Sequence, residues 1–181
     1  MILHPLENSE LYFIIDNEDF DFVSKHKWKL FDGYAVIAES NNEIARLHRL
    51  LLCSSDNEDL IVDHKNRKRL DNRRKNLRIA TRSQNMCNRS KPKWSNATSN
   101  FKGVRYLSKN KYWQVRLQVD KKQLLVGHFT SEVASANMYN HYAKKLHGEF
   151  AVLNSVPFMS IEECERHKVI KRGRVNNGKR K

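Results

Sequence analysis

The sequence has few of the residues that stabilise small secreted proteins or span membranes. Its three cysteines, Cys53, Cys87 and Cys164, are widely separated and form no CxxC arrangement. Such a set argues against a disulfide framework, and no structural zinc is expected. No apolar run approaches the roughly 20 residues of a membrane-spanning helix, and the first residues lack the pattern of a secretory signal. We therefore expect a cytoplasmic protein of the cytosol or nucleoid, not secreted and without a membrane partner.

Acidic side chains become scarce after the first quarter of the chain. The 181 residues include 34 Lys and Arg against 20 Asp and Glu, a net charge of +14. Residues 1–47 are net acidic, whereas every later segment is basic. This asymmetry is typical of a protein that binds a polyanion such as DNA. A solvated surface that lysines keep soluble is the other interpretation of the charge.

The pattern of apolar residues predicts an α+β fold. Residues 11–16 and 33–39 have strand-like composition and flank a predicted helix over residues 18–27, which indicates a small α+β subdomain over residues 1–47. Residues 48–89 follow the order strand, long basic loop, strand, helix. The helix begins after Thr81, with Gln84 three residues later, a capping-box pattern.

The second half of the chain has its own order of elements. Residues 90–100 lack apolar periodicity and are expected to form a linker. Residues 101–154 contain three strand-like runs and a helix, capped by Thr130 or Ser131 and ended by Gly148. Residues 155–181 are predicted to form a basic tail. The chain is long enough for two small domains.

Four polar residues are spaced so that the predicted hairpin and helix can bring them together. Asp63 and His64 end the first strand; Asn76 lies twelve residues after His64 and Asn85 nine further on. Imidazole suits the base that phosphodiester hydrolysis needs, and carboxylate and amide oxygens select hard divalent metals. We predict His64 as general base, and one Mg²⁺ or Mn²⁺ held by Asp63 and Asn85. Asn76 is assigned to hydrogen-bonding across the loop, so that His64 points at the phosphate.

The segment around these residues resembles the HNH (ββα-metal) endonuclease motif in the HNN variant of phage and intron-encoded homing enzymes. The resemblance covers about residues 47–89 and rests on LHRLL, VDH, DNRRKNLR and ATRSQN, in order. It implies one divalent metal on Asp63 and Asn85, with His64 as the base. The loop KNRKR departs from the neutral or acidic turn of many relatives.

Several assignments have alternatives. Asn72, eight residues after His64, competes with Asn76 for the middle position. His48 in LHR either touches DNA, supports the site or is a partly buried structural histidine. Asn85 and Asn88 also fit exposed positions on a helix.

Residues 101–154 resemble the ethylene-response-factor (APETALA-type) DNA-binding domain of plants, which also occurs in phage HNH nucleases. The resemblance covers FKGVR, KYWQVRLQV, LLVGHF and HGEFAVLN. It implies that the sheet lies in the major groove of double-stranded DNA. Alternation on the middle strand then predicts one face for DNA and one for the helix. The predicted DNA-binding residues are Arg105, Lys111, Trp113, Gln114, Arg116, Gln118 and Lys122, with Trp113 equally suited to packing.

The sequence as a whole therefore predicts a site-specific, metal-dependent DNA endonuclease of homing type, encoded by a phage or another mobile element. One such site cuts one strand, so we expect nicking by a monomer or weak dimer. The alternative is a sequence-specific DNA-binding regulator whose HNH segment is inactive.

Overall fold

The computed structural model describes residues 1–38, 44–52, 60–92, 96–120 and 122–170. The chain has both helices and several small antiparallel sheets, which confirms the predicted α+β class. It divides into two compact units, Met1–Arg89 and Ser90–Lys181. None of the helices in the described ranges is long and apolar enough to cross a membrane.

The first unit contains short elements. Its strands are β1 (Ile2–Leu6), β2 (Ser9–Ile15), β3 (Lys29–Phe31), β4 (Tyr34–Ala38), β5 (Ile44–Arg46), β6 (Leu60–His64) and β7 (Leu77–Thr81). Its helices are α1 (Phe20–Val23), α2 (Leu47–Leu52) and α3 (Arg82–Cys87). The strands pair as β1-β2, β3-β4-β5 and β6-β7, all antiparallel.

One hydrophobic core holds the first unit together. Phe13 and Trp28 meet edge to face at 5.9 Å between ring centroids, and Leu47, Val62 and Leu77 belong to the same buried cluster. These residues come from β2, the segment before β3, α2, β6 and β7. The predicted nuclease segment is therefore packed on the N-terminal strands.

The helix predicted over residues 18–27 is much shorter than expected, since α1 ends at Val23. The indole Nε1 of Trp28 donates to the carbonyl oxygen of Val23 at 2.9 Å. The chain thus leaves the helix to bury Trp28 in the core, and that tertiary packing overrides the local helical spacing.

The basic loop between β6 and β7 is fixed by backbone hydrogen bonds to β2. The amide of Ile14 donates to Leu70 O at 2.8 Å, and the amide of Asn72 donates to Ile14 O at 2.8 Å. The loop therefore has a defined path beside His64.

The second unit contains a three-stranded sheet covered by a helix. Its elements are β8 (Val104–Leu107), β9 (Tyr112–Val119), β10 (Lys122–Phe129), α4 (Glu132–His147) and α5 (Ile161–Arg166), with sheet order β10-β9-β8. Ser131 caps α4 by accepting from the amide of Ala134, and α4 ends at Gly148, as the sequence predicts.

The core of the second unit lies between the sheet and α4. Val115 and Leu117 of β9 pack with Phe129 and Met138, so the predicted helix-facing side of β9 is confirmed. Cys164 of α5 is fully buried in the same cluster, although the sequence assigned its segment to a basic tail. Residues 171–181 of that tail lie outside the described residues.

The outer edge of β10 is covered by the chain that follows α5. The amide of Thr130 donates to His167 O at 2.8 Å, and the amide of Val169 donates to His128 O at 2.7 Å. Lys168 forms a bridge with Phe129. The sheet therefore continues by a short segment beyond its three strands.

Candidate active site and nucleic-acid interface

The candidate site is built on the hairpin of β6 and β7 and on α3, which follows it. Asp63 and His64 are the last two residues of β6 and lie opposite Arg78 and Leu77 of β7. Thr81 and Gln84 form both bonds of a capping box, at 3.2 and 2.8 Å, which confirms the predicted start of α3. The cap turns the chain directly from β7 into α3, and the end of α3 reaches β6.

Asp63 is buried and its carboxylate is already paired. Arg78 donates to Oδ2 from Nε at 3.0 Å and from Nη2 at 2.9 Å. Asn88 Nδ2 lies 3.1 Å from Oδ1, 3.0 Å from Oδ2 and 2.9 Å from the carbonyl oxygen of His64. Asn88 thus ties the end of α3 to both Asp63 and His64.

The ring of His64 is held by an asparagine and two aromatic neighbours. Its Nε2 lies 3.3 Å from Oδ1 of Asn72, which is almost fully buried. The ring centroid of His48 is 4.9 Å away and that of Tyr34 is 6.1 Å away. Burial lowers the pKa of His64, although the hydrogen bond to Asn72 and the charge of Asp63 oppose this shift. The imidazole is therefore neutral at neutral pH.

Asn76 contacts the loop rather than the His64 ring. Its Oδ1 accepts from the amide of Asn66 at 3.0 Å, and its Nδ2 donates to Asp71 O at 2.7 Å. The amide of Lys65 donates to the carbonyl oxygen of Asn76 at 2.8 Å. Of the two asparagines that compete for the middle position, Asn72 touches the imidazole and Asn76 closes the loop that follows it.

Asn85 is half-buried on α3. Among the hydrogen bonds of the described residues, none joins it to Asp63; Asn88, three residues later, makes that contact. Residues three apart share a helix face. The spacing between Asn85 and Asn88 could therefore have indicated that both side chains lie on the side of α3 that faces the site. The metal role of Asn85 stays a prediction.

His48 is a buried member of the site that the sequence left open. It is 4% exposed, and its Nδ1 has no hydrogen-bond partner. Burial lowers its pKa to about 3, with smaller contributions from His64, Arg49 and Arg46. His48 is therefore a neutral ring packed against His64.

Two arginines border the histidines through Tyr34. The guanidinium carbons of Arg46 and Arg69 lie 4.8 and 4.7 Å from the centroid of the Tyr34 ring, in cation–π contact. Asp32 forms exposed ion pairs with both arginines, at 4.0 and 3.5 Å. This edge of the site can attract a phosphate.

The oxygen donors of the site suit a hard divalent metal. A carboxylate and a side-chain amide are ligands that Mg²⁺ and Mn²⁺ accept, with water and phosphate oxygens completing the shell. The carboxylate of Asp63 fits this role by its chemistry, but both of its oxygens already accept hydrogen bonds from Arg78 or Asn88. A metal at Asp63 must therefore share or displace these donors.

The predicted DNA-facing side of the second unit has both exposed and buried members. Arg105, Arg116 and Gln118 are exposed. Gln114 lies on the same face, opposite Arg105, but it is buried and its Nε2 is 3.0 Å from Nε2 of His128. Arg116 donates from Nη1 to Gln123 Oε1 at 3.1 Å.

The other predicted DNA contacts lie outside this face. Trp113 is opposite Tyr106 and Phe129, on the side of the sheet that α4 covers, and its ring centroid is 4.8 Å from that of Tyr106. This placement favours the packing interpretation of Trp113. Lys111 is exposed in the turn before β9, and Lys122 is exposed at the start of β10.

Comparison with known proteins places the chain in a family. The family model described as HNH endonuclease matches residues 55–87. An uncharacterized HNH endonuclease of Acanthamoeba polyphaga mimivirus is 34% identical over 148 residues, which are 78% of this chain and 73% of the relative. No solved structure matches. The comparisons give no support to the ethylene-response-factor resemblance of residues 101–154, which stays a prediction. On the length and identity of these matches, the chain belongs to the HNH endonuclease family, whose members hydrolyse DNA.

Proposed function

We propose that the chain is a metal-dependent, site-specific endonuclease of homing type that nicks double-stranded DNA. The observation that carries the proposal is the placement of a buried, neutral His64 next to Asp63 at the end of β6, with Asn88 hydrogen-bonded to both residues. An Nε2–H that donates to Asn72 Oδ1 leaves the lone pair of His64 on Nδ1. This nitrogen takes a proton from the attacking water, which then attacks the phosphorus in line with the departing 3′ oxygen.

Asp63 and Asn85 would hold the metal. When bound, Mg²⁺ or Mn²⁺ neutralises charge on the phosphate and on the departing oxygen. Asn72 orients the imidazole, and Asn76 fixes the loop after His64. Asn88 holds the Asp63 carboxylate in place from α3.

The second unit would select the target. We propose that residues 101–154 form a sheet of ethylene-response-factor type whose exposed face enters the major groove. Arg105, Arg116 and Gln118 have the side chains that read guanine and adenine, and Lys111 and Lys122 would bind phosphates. Gln114 would reach a base only by giving up its contact with His128.

Plasmid relaxation tests the nuclease proposal. Supercoiled plasmids are incubated with the protein in Mg²⁺, Mn²⁺ or EDTA, and open-circle product is expected only with metal. His64→Ala is expected to lower the rate about 10² to 10⁴-fold while DNA affinity is kept; His141→Ala, an exposed histidine of α4, serves as the control. DNA binding without relaxation in any metal would instead identify a regulator with an inactive HNH segment.

A pair of variants on α3 tests the metal assignment. Asn85→Ala is expected to raise the Mn²⁺ concentration for half-maximal cleavage by at least tenfold. Asn88→Ala is expected to lower the rate at saturating Mn²⁺, because it releases the Asp63 carboxylate. The reverse pattern would transfer the metal role from Asn85 to Asn88.

A further inference from the structure

A site that binds a divalent metal by itself is expected to carry net negative charge. Here the carboxylate of Asp63 is instead paired with the guanidinium of Arg78. Asp63 and Arg78 are directly opposite across β6 and β7, so their side chains share one face of the hairpin. Two nitrogens of Arg78 contact Oδ2 of Asp63, at 3.0 and 2.9 Å. The side chains are 9% and 6% exposed, so water screens this pair little.

In the part of the chain that the structure describes, no group of three acidic or metal-ligating side chains includes Asp63. Among the described residues, the one group of three acidic or metal-ligating side chains is Asp16, Glu18 and Asp19, which bind Arg74. The positive charge of Arg69 also acts on His64 and lowers its pKa. The described residues therefore present a divalent cation with a carboxylate whose charge Arg78 already balances.

We propose that Arg78, by neutralising Asp63 in the DNA-free enzyme, makes tight metal binding conditional on a DNA phosphate. The inference rests on the proposed function, because it takes Asp63 as a metal ligand. Mg²⁺ and Mn²⁺ commonly complete their shells with substrate phosphates, and a phosphate brings the negative charge that Arg78 has removed. The phosphate also gives the Arg78 guanidinium a further partner of matching geometry.

Coupling of this kind is reciprocal, so it is measurable from the DNA side. If DNA raises the affinity for metal by a factor, metal raises the affinity for DNA by the same factor. The full chain with His64→Ala prevents turnover and serves as the reference protein. Its affinity for a labelled duplex is measured by fluorescence anisotropy in Mn²⁺ and in EDTA at equal ionic strength. We expect Mn²⁺ to tighten DNA binding at least tenfold, and Asp63→Asn to abolish that response.

The role of Arg78 is tested on the DNA-free protein. Isothermal titration calorimetry with Mn²⁺ compares the reference protein with versions that also carry Arg78→Gln or Arg78→Lys. Arg78→Gln is expected to bind Mn²⁺ at least tenfold more tightly than the reference, and its DNA affinity should respond less to Mn²⁺. Arg78→Lys keeps the charge and is expected to behave like the reference.

Two results would overturn the inference. One is a folded Arg78→Gln protein, as judged by circular dichroism, that binds Mn²⁺ no more tightly than the reference. The other is equal DNA affinity of the reference protein in Mn²⁺ and in EDTA, a measurement that does not depend on the folding of Arg78→Gln. Metal-dependent cleavage by the wild-type chain alongside either result rejects the inference and leaves the proposed function standing. Absence of cleavage in every metal rejects the proposed function, and the inference with it.

Discussion

Acid should destabilise the first unit through His48, which folding keeps neutral. Its pKa of 6.5 in the unfolded chain falls to about 3 in the folded one. Between these values the unfolded chain binds a proton at His48 that the folded chain does not, so stability falls as the pH falls below 6.5. Each pH unit in this range costs about 1.4 kcal/mol. From pH 7.5 to pH 5.0 the expected loss is about 2 kcal/mol from this one side chain.

The variant that removes this dependence is His48→Phe, which keeps a ring beside His64 and carries no titratable group. Its larger ring adds a packing cost that is the same at both pH values and cancels in the comparison. The free energy of unfolding is measured in urea at pH 7.5 and pH 5.0. Hydrogen exchange in peptides of β6 and β7 monitors the first unit separately from the second. Wild type should lose about 2 kcal/mol more than His48→Phe.

The control is His141→Phe, which replaces an exposed histidine of the second unit and leaves His48 in place. Contributions from His64 are present in every protein compared. An equal loss of stability in wild type and His48→Phe would refute the argument, because it would mean that His48 is protonated in the folded protein.

Two further predictions concern the second unit. Gly103→Ala should destabilise it more than Gly148→Ala, because a Cβ at Gly103, with φ +73°, would lie 2.1 Å from the Tyr139 ring. A Cβ at Gly148 meets no atom within 4 Å, so Gly148→Ala should cost only the backbone strain of φ +54° and ψ −127°, about 1–3 kcal/mol. Equal losses in hydrogen-exchange stability would contradict the packing argument. Arg116→Ala should relax the base preference selected from random duplexes, at a cost of about 1–3 kcal/mol, whereas Lys122→Ala should keep that preference and lower the log–log salt slope by about 0.9. Loss of preference in both variants would contradict the division between base and phosphate contacts.

The hairpin and the start of α3 could be predicted because their signals are local. β6 ends with Asp63 and His64, as predicted, and the spacing of Thr81 and Gln84 specifies both bonds of the cap. The strands β1 and β3 pair locally, each with the strand that follows it. They went unpredicted because β3 has only three residues and β1 contains Pro5, which weakens a strand pattern. The segment of α5 was assigned to the tail because the residues after it are strongly basic. In the structure Cys164 is buried in the core and Ile161 packs against it.

The candidate site likewise has features that the sequence predicted and features that it did not. The order of Asp63, His64, Asn76 and Asn85 along the chain was enough to predict the chemistry. That order did not predict which asparagine touches which group, because those contacts depend on where α3 and the loop lie against β6. Asn85 is half-buried on α3, whereas Asn88, three residues later at the end of the helix, is buried and its amide bonds Asp63. Arg78 escaped notice because its partner is set by strand register, which the sequence alone does not give.

The segment that covers β10 also bears on the solubility of the protein. An uncovered edge strand offers free amides and carbonyls to another chain and promotes aggregation. Here the backbone of His167 and Val169 occupies those groups. A version of the chain shortened after residue 166 would keep α5 but expose the edge of β10, and it is expected to self-associate. A version shortened after residue 170 would keep the edge covered. Removal of residues 171–181 should therefore lower the positive charge of the protein without exposing the edge of β10.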